Sequence, residues 1–456
     1  MITRRSLLAA PALLSAQSKQ PDIVVVLTDD LGYGDLSCFG HPNIKTPHLD
    51  KFATQGIRFT DCYAAAPVCS PSRCGLLTGR TPTRLGVYDW IPEKSPMHLQ
   101  RSEQTFAKLL QQTGYATAHI GKWHCNGLFN NPAQPQPNDH GFDHWVATQN
   151  NSLPSHKDPL NFVRNGQPVG PLTGFSSQIV ADESIAWLKS VPAAKPFCLF
   201  ACFHSPHEKV ATSDAFTAQY GQASPRERAE YFGNVAEMDH HFGRLMAALE
   251  AQGRGDALVF FTSDNGPETL LRYPAANRSY GTPGPFRGMK LSLYEGGIRV
   301  PGILRWPGRA KAGVTSAEPI CGVDILPTLI EAARGPKPAN RLDGASILPV
   351  LKGKSVRRSV PLHWHYLNAM HEPKAALRDG PWKVVGMWPE GAPKLPVSGF
   401  RPEFLDIARK QTLSRFALYH LPTDVAEQKD LSTQSPKQFA KLKDRLITLH
   451  REVLAG

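Results

Sequence analysis

Ile23-Val24-Val25-Val26-Leu27-Thr28-Asp29-Asp30 decides the fold. A strand with one wet face alternates apolar and polar residues, and this run does not alternate. Five consecutive aliphatic side chains fit a strand buried on both faces, as in a parallel sheet covered by helices. The run then breaks into a hydroxyl and two carboxylates. Three later segments repeat the pattern. Tyr115 to Ile120 ends in Gly121-Lys122-Trp123-His124, and Phe197 to Phe203 in His204-Ser205-Pro206-His207. Leu258 to Phe261 ends in Thr262-Ser263-Asp264-Asn265.

Helical patterns lie between them. Thr46-Pro47, then His48 to Thr54 and Gly56, supplies a cap, a proline at the first position and a terminal glycine. Gln104 to Gln112 precedes Gly114 in the same way. Pro225 to Gln252 carries Val235, Met238, Phe242, Leu245 and Leu249 at helical spacing. Strands alternating with helices predict an α/β fold, a large mostly parallel sheet with helices on both faces. In such sheets ligands bind beyond the carboxyl ends of the strands, so the four polar endings are expected to converge on one site. After about residue 355 the rhythm changes to short β-like pieces, Val360 to Tyr366, Trp382 to Val385 and Ala417 to Leu421. A final amphipathic helix follows with Phe439, Leu442, Leu446, Leu449 and Val453. The expected division is residues 17–355 for the large domain and 356–456 for a smaller α+β domain.

The 456 residues carry a formal net charge of +12, without a run of like charges. That speaks against a nucleic-acid-binding tail. A diffuse positive field favours an anionic substrate, and equally serves solubility alone. Residues 1–16 read as an export signal, with Arg4-Arg5 before a short apolar run to Leu14 and a cleavage point after Ala16. The twin arginine suggests the twin-arginine route, with an ordinary secretory signal as the alternative. Its apolar stretch of about 10 residues is half the roughly 20 a membrane span needs, and no other stretch qualifies. The expectation is a periplasmic or secreted protein without a stable span. Eight cysteines show neither a CxxC pair nor zinc spacing. Cys198 and Cys202 read as packed thiols in an apolar run.

Adjacent carboxylates at Asp29-Asp30 repel unless a cation compensates them. A hard divalent ion with oxygen ligands would do so, and Asp264-Asn265 offers two more such groups. Either pair alone also reads as a turn or cap. In Cys69-Ser70-Pro71-Ser72-Arg73, Ser70 can cap a helix with Pro71 first, leaving Cys69 before its free amides. That place favours an anion and an activated nucleophile.

Cys69-Ser70-Pro71-Ser72-Arg73 with Leu77-Thr78-Gly79-Arg80 resembles the signature of the type I sulfatases of the alkaline phosphatase superfamily. Further motifs match in order: Gly121-Lys122-Trp123-His124, Ser205-Pro206-His207, Ser263-Asp264-Asn265-Gly266, Arg287-Gly288-Met289-Lys290, Tyr294-Glu295-Gly296-Gly297 and Val323-Asp324-Ile325-Leu326-Pro327-Thr328. The match spans about Asp22 to Leu431. The resemblance implies an alkaline phosphatase-like sheet and oxidation of Cys69 to formylglycine by a formylglycine-generating enzyme. It implies a divalent cation, calcium with magnesium as the alternative, on Asp29, Asp30, Cys69, Asp264 and Asn265. Arg73 and Lys122 would hold the formylglycine and neutralise sulfate. His124 would be the base on its hydroxyl, and His207 with Lys290 would bind sulfate and protonate the leaving oxygen. Cys74 and Cys125 depart from the family pattern beside Arg73 and His124.

The layout is similar to bacterial arylsulfatases and N-acetylgalactosamine-6-sulfatase-like enzymes, which implies a sulfated carbohydrate substrate. In the polar loop Gln149 to Lys157, Asn150, Asn151 and His156 are candidate sugar contacts. His363-Trp364-His365 is expected to face the pocket from the smaller domain. Two other readings stand beside this one. The chain could be a phosphonate or phosphate ester hydrolase of the same superfamily, or a non-catalytic binder of sulfated glycans if Cys69 is not converted.

Overall fold

The computed structural model describes residues 20–269, 276–395 and 402–455. The expected export signal lies outside these residues. In chain order the strands are β1 (Ile23–Asp29), β2 (Ile57–Phe59), β3 (Cys62–Tyr63), β4 (Ala116–Lys122), β5 (His144–Thr148), β6 (Val163–Arg164), β7 (Gln167–Pro168) and β8 (Phe197–Pro206). There follow β9 (Leu258–Ser263), β10 (Gly302–Arg305), β11 (Val314–Ser316), β12 (Ile320–Cys321), β13 (Leu362–His365), β14 (Pro373–Asp379), β15 (Trp382–Met387) and β16 (Arg415–His420).

The main sheet has the order β11-β2-β10-β9-β1-β8-β4-β5-β6-β7. Its centre, β9-β1-β8-β4-β5, is parallel throughout. Those are the four strands expected from the sequence, plus β5. The flanks are mixed, since β10 runs antiparallel to β9 and β6 antiparallel to β5.

Strand β1 shows why its sequence does not alternate. Ile23, Val25 and Leu27 pack into one hydrophobic cluster, together with Leu76 and Leu77 of the helix Cys69–Thr78 and Leu109 of the helix Phe106–Gln111. Val24 and Val26 pack into the cluster on the opposite face, with Val235, Met238, Phe242, Leu245 and Leu249 of the long helix Arg226–Ala251. Those five helical residues are no more than 1% exposed. Burying each side chain of this size contributes about 1.5–3 kcal/mol, so both helical layers hold the sheet.

The smaller sheet is antiparallel, in the order β13-β14-β15-β16. Leu442 and Leu446 of the helix Pro436–Ala455 pack on one of its faces with Leu377, Val384 and Leu418. Its other face, with Trp364, Ala376, Val385 and Ala417, shares a cluster with Tyr63, Val68, Cys69 and Leu293 of the larger part. Among the described residues, no helix is long and apolar enough to cross a membrane. All eight cysteines are free thiols, and Cys198 and Cys202 are fully buried in β8.

Two local expectations are corrected, and one strand is not legible in the sequence. The helix expected from Gln104 to Gln112 begins at Phe106, because Thr105 is its cap and accepts the Lys108 amide at 3.1 Å. Strand β14 went unread, because Pro373-Lys374-Ala375-Ala376 lacks β-branched residues and alternation; its place between β13 and β15 supplies the pairing that its sequence does not advertise. Ser70 does not cap the helix Cys69–Thr78. Val68 is the N-cap, in extended conformation, and the Ser70 hydroxyl oxygen accepts the Ile91 amide at 2.9 Å.

Candidate active site

The carboxyl ends of β1, β8, β4 and β9 converge. In a regular strand Asp29 and Asp30 would point to opposite faces. Asp30 instead has φ 62°, in the left-handed region that aspartate tolerates, and this departure brings both carboxylates to the same place. Asp30 N donates to Asp264 Oδ1 at 3.2 Å, and Asn265 Nδ2 donates to Asp30 Oδ1 at 2.7 Å. The pairs at the ends of β1 and β9 are thus locked together.

Cys69 opens its helix and is buried, so it meets the free amides there. Arg73 follows one turn on, on the same side of the helix. Its Nε donates to Asp264 Oδ2 at 2.9 Å, its Nη1 to Lys122 O at 2.9 Å, and its Nη2 lies 3.7 Å from Asp29 Oδ1. Lys122 leaves β4 and reaches Asp29 Oδ2 at 2.6 Å. Gly121 makes that exit possible: at φ 107°, a Cβ there would lie 1.8 Å from Cys202 O. Lys290 comes from the loop after β9 and reaches Asp30 Oδ2 at 2.7 Å.

Two histidines have their tautomers set by backbone carbonyls when neutral. His124 Nε2 donates to Ile91 O at 3.0 Å, which leaves Nδ1, buried and unpartnered, as the lone-pair nitrogen. His207 Nδ1 donates to Glu208 O at 2.7 Å, and its Nε2 lies 3.5 Å from Asp30 Oδ2. The six residues expected to be catalytic and the four expected oxygen ligands therefore lie in one buried constellation.

Burial and charge work against each other here. Burial tends to raise the Asp30 carboxyl, but Lys290, His207 and Lys122 outweigh it and hold Asp30 below the usual carboxylate range. Asp264 is raised to about 6 by burial and by Asp29, with Arg73 opposing. Burial and then Lys290 lower His207 to about 3, against Asp30. Burial, Lys122 and Arg73 hold His124 well below its ordinary value. Burial pushes the Cys69 thiol up to about 11, although Lys122 and Lys290 oppose it. The site carries enough positive groups to receive a compact anion and enough carboxylates to hold a cation.

The residues fit a hard divalent cation. Asp29, Asp30, Cys69 and His207 bring one donor atom each to within 4.8 Å of one another. Asp29 Oδ1 and Asn265 Oδ1 are buried and accept no hydrogen bond, so oxygen lone pairs stand ready beside that group. Asp264 stays outside this group of four, with both its oxygens engaged by Arg73 and the Asp30 amide.

The expected sugar contacts separate. Asn150 and Asn151 line a cavity of about 520 Å³ together with Glu93, Lys94 and Asn161. Their Oδ1 atoms are buried without partners. His156 is not on that cavity. It is 1% exposed and its Nδ1 accepts from Asn234 Nδ2 at 3.3 Å. The expectation for His363-Trp364-His365 is also corrected. His363 Nδ1 meets His365 Nε2 at 2.9 Å, and His365 Nδ1 meets His450 Nδ1 at 3.0 Å. Trp364 Nε1 donates to Ala64 O. Strand alternation sends the two imidazoles to one face and the indole to the other, and each finds a buried partner.

Two features were not read from the sequence. Glu208, directly after His207, is buried with Oε1 accepting the Ser279 hydroxyl. A carboxylate abutting a functional strand end was a usable signal. Lys383 of β15, fully buried, bridges Glu295 and Glu427 at 2.9 Å each. No local pattern marks such a triad across 132 residues.

A family model described as Sulfatase matches residues 21–335, and one described as N-sulphoglucosamine sulphohydrolase, C-terminal, matches residues 288–391. The chain is 34% identical to arylsulfatase A of Homo sapiens over 83% of its own length and 77% of that protein. It is 32% identical to N-acetylgalactosamine-6-sulfatase of Sus scrofa over 98% of its own length and 88% of that protein. The crystal structure of Ps i-CgsB in complex with k-i-k-neocarrahexaose is similar with a TM-score of 0.78 at 25% identity, covering 93% of this chain and 91% of that one. With the signature intact and the anion-receiving groups gathered at one sheet edge, the chain belongs to the sulfatase family of sulfuric ester hydrolases.

Proposed function

We propose that this chain is an exported enzyme that hydrolyses sulfate esters of carbohydrates, with Cys69 converted to formylglycine and a divalent cation, calcium first, at Asp29, Asp30, residue 69, Asp264 and Asn265. The observation that carries the reading is the position of Cys69 at a helix N-terminus, amid Arg73, Lys122, Lys290 and two oriented histidines. Likeness to N-acetylgalactosamine-6-sulfatase and to an oligosaccharide-bound structure supports the carbohydrate class. Residues 17–355 form the catalytic domain of this proposal and 356–456 the smaller one; the antiparallel sheet beginning at Leu362 supports that division.

A cation held by those residues would supply Lewis acidity, and formylglycine at position 69 would supply a hydrated aldehyde hydroxyl as nucleophile. The remaining work falls to the chain's own side chains. Lys122, Lys290 and Arg73 neutralise a bound sulfate and orient it, which is most of what a charge-spread transfer demands. His124, with its Nδ1 lone pair free, accepts the proton of a hydroxyl on residue 69. His207 presents Nε2 to the leaving oxygen, because its Nδ1 is committed to Glu208 O. An incoming anion favours its protonated form and counters the burial that lowers it.

The test is peptide mass spectrometry across Cys69 in protein made with a formylglycine-generating enzyme, followed by assays on sulfated sugars. Conversion with release of sulfate supports the reading. Converted, cation-loaded protein that releases no sulfate from any ester overturns it.

A further inference from the structure

Glu208 follows His207 and is 2% exposed. Its Oε1 accepts the Ser279 hydroxyl, while Oε2 is buried and accepts nothing. An unsatisfied buried carboxylate oxygen is costly, by about 1–3 kcal/mol or more, and calls for an occupant. His207 Nδ1, on the preceding residue, donates to the Glu208 carbonyl rather than to this carboxylate. The carboxyl lies within electrostatic reach of Asp30 and Lys290 of the site and of the buried Glu268.

We infer that Glu208 is a specificity-determining residue whose Oε2 accepts a hydroxyl or amide N–H of the sugar beside the scissile sulfate. The inference rests on the sulfatase reading above and names its substrate class. Glu208, within electrostatic reach of both Asp30 and Glu268, also disfavours a second anionic substituent at that position. The class is therefore a monosulfated neutral or N-acetylated sugar, rather than an aryl sulfate or a doubly charged unit. An aryl sulfate offers Glu208 no donor, so the two ester types separate recognition from chemistry.

The experiment compares wild type, Glu208→Ala and Glu208→Gln as converted, calcium-loaded enzymes. The probes are N-acetylgalactosamine 6-sulfate, galactose 6-sulfate and 4-nitrophenyl sulfate. Glu208→Ala should lower kcat/KM on the sugar esters about tenfold or more, mainly through KM, and change the aryl ester less than about threefold. Glu208→Gln, which keeps the shape and one acceptor oxygen, should fall between, and it carries the comparison if the alanine variant does not fold. An equal fall on all three esters assigns Glu208 to positioning His207 and overturns the inference, as does no fall. Wild-type turnover of the aryl ester without either sugar ester overturns the inference and leaves the sulfatase reading standing. If wild type turns over none, the sulfatase reading fails. Calorimetric titration of Cys69→Ala protein with the two sugar sulfates then decides, since binding abolished by adding Glu208→Ala supports the inference, and absent or unaffected binding overturns it.

Discussion

Arg73 Nε donates to Asp264 Oδ2 at 2.9 Å, which ties the helix opened by Cys69 to the end of β9. The same guanidinium donates to Lys122 O at the end of β4 and stands 3.7 Å from Asp29 at the end of β1. One side chain thus joins three strand ends to the helix. Arg73→Met should leave two buried carboxylates without that partner and cost about 3–5 kcal/mol. Arg73→Lys should cost less in stability but lose the fork geometry, and with it most of the activity. Urea melts together with kcat/KM would check both. Full activity in Arg73→Lys would refute the positioning role.

Removing the divalent cation should lower stability and abolish sulfate release. A ligand at about 100 times its Kd adds about 2.7 kcal/mol, so dialysis against a chelator should lower Tm and added calcium should restore it. Asp30→Asn should remove that response, because Asp30 also holds Lys290 and Asn265 in place. A Tm indifferent to chelator in the wild type would speak against a resident cation.

Lys383→Met should be among the most damaging substitutions in the smaller sheet. Lys383 is fully buried between Glu295 and Glu427, and Glu427 Oε2 accepts the Glu295 amide at 2.6 Å. Losing the ammonium leaves paired buried carboxylates, at a cost of about 3–5 kcal/mol. Glu295 lies five residues after Lys290, so activity should fall as well. A denaturation midpoint within error of wild type would show the triad to be unimportant.

Asp239 gives a pH dependence of known sign. Its oxygens accept the amides of His48 and Leu49 at 3.1 and 2.7 Å, and burial raises its carboxyl from 3.8 to about 7, against those bonds. The folded protein therefore keeps a proton between about pH 4 and 7 that the unfolded chain releases. Wild type should lose stability relative to Asp239→Asn as pH rises through that window, by up to about 4 kcal/mol. Urea midpoints at pH 4.5 and 8 read the difference, and parallel curves for the two proteins would contradict it.

The sequence made the central sheet legible because β1, β4, β8 and β9 are buried on both faces, and unbroken apolar runs are the direct imprint of that burial. It made the metal and sulfate groups legible because each stands at the end of such a run, where the chain turns polar within one or two residues. Strand β14 stayed hidden for the converse reason, since Pro373-Lys374-Ala375-Ala376 is held by its neighbours rather than by its own pattern.

By itself, then, the sequence determined which side chains meet at the sheet edge, because strand order and burial follow from local hydrophobicity and from the polar endings. Only the tertiary structure decided how they face each other. The left-handed turn at Asp30, tied to Asp264 and Asn265, the glycine that lets Lys122 pass Cys202, and the Ile91 carbonyl that fixes the His124 tautomer all rest on contacts between distant segments. The same holds for Glu208, whose bare oxygen becomes apparent only when Ser279, 71 residues away, takes the other. Such geometry depends on which atoms are left without partners after packing, and that quantity is not written in any local stretch of sequence.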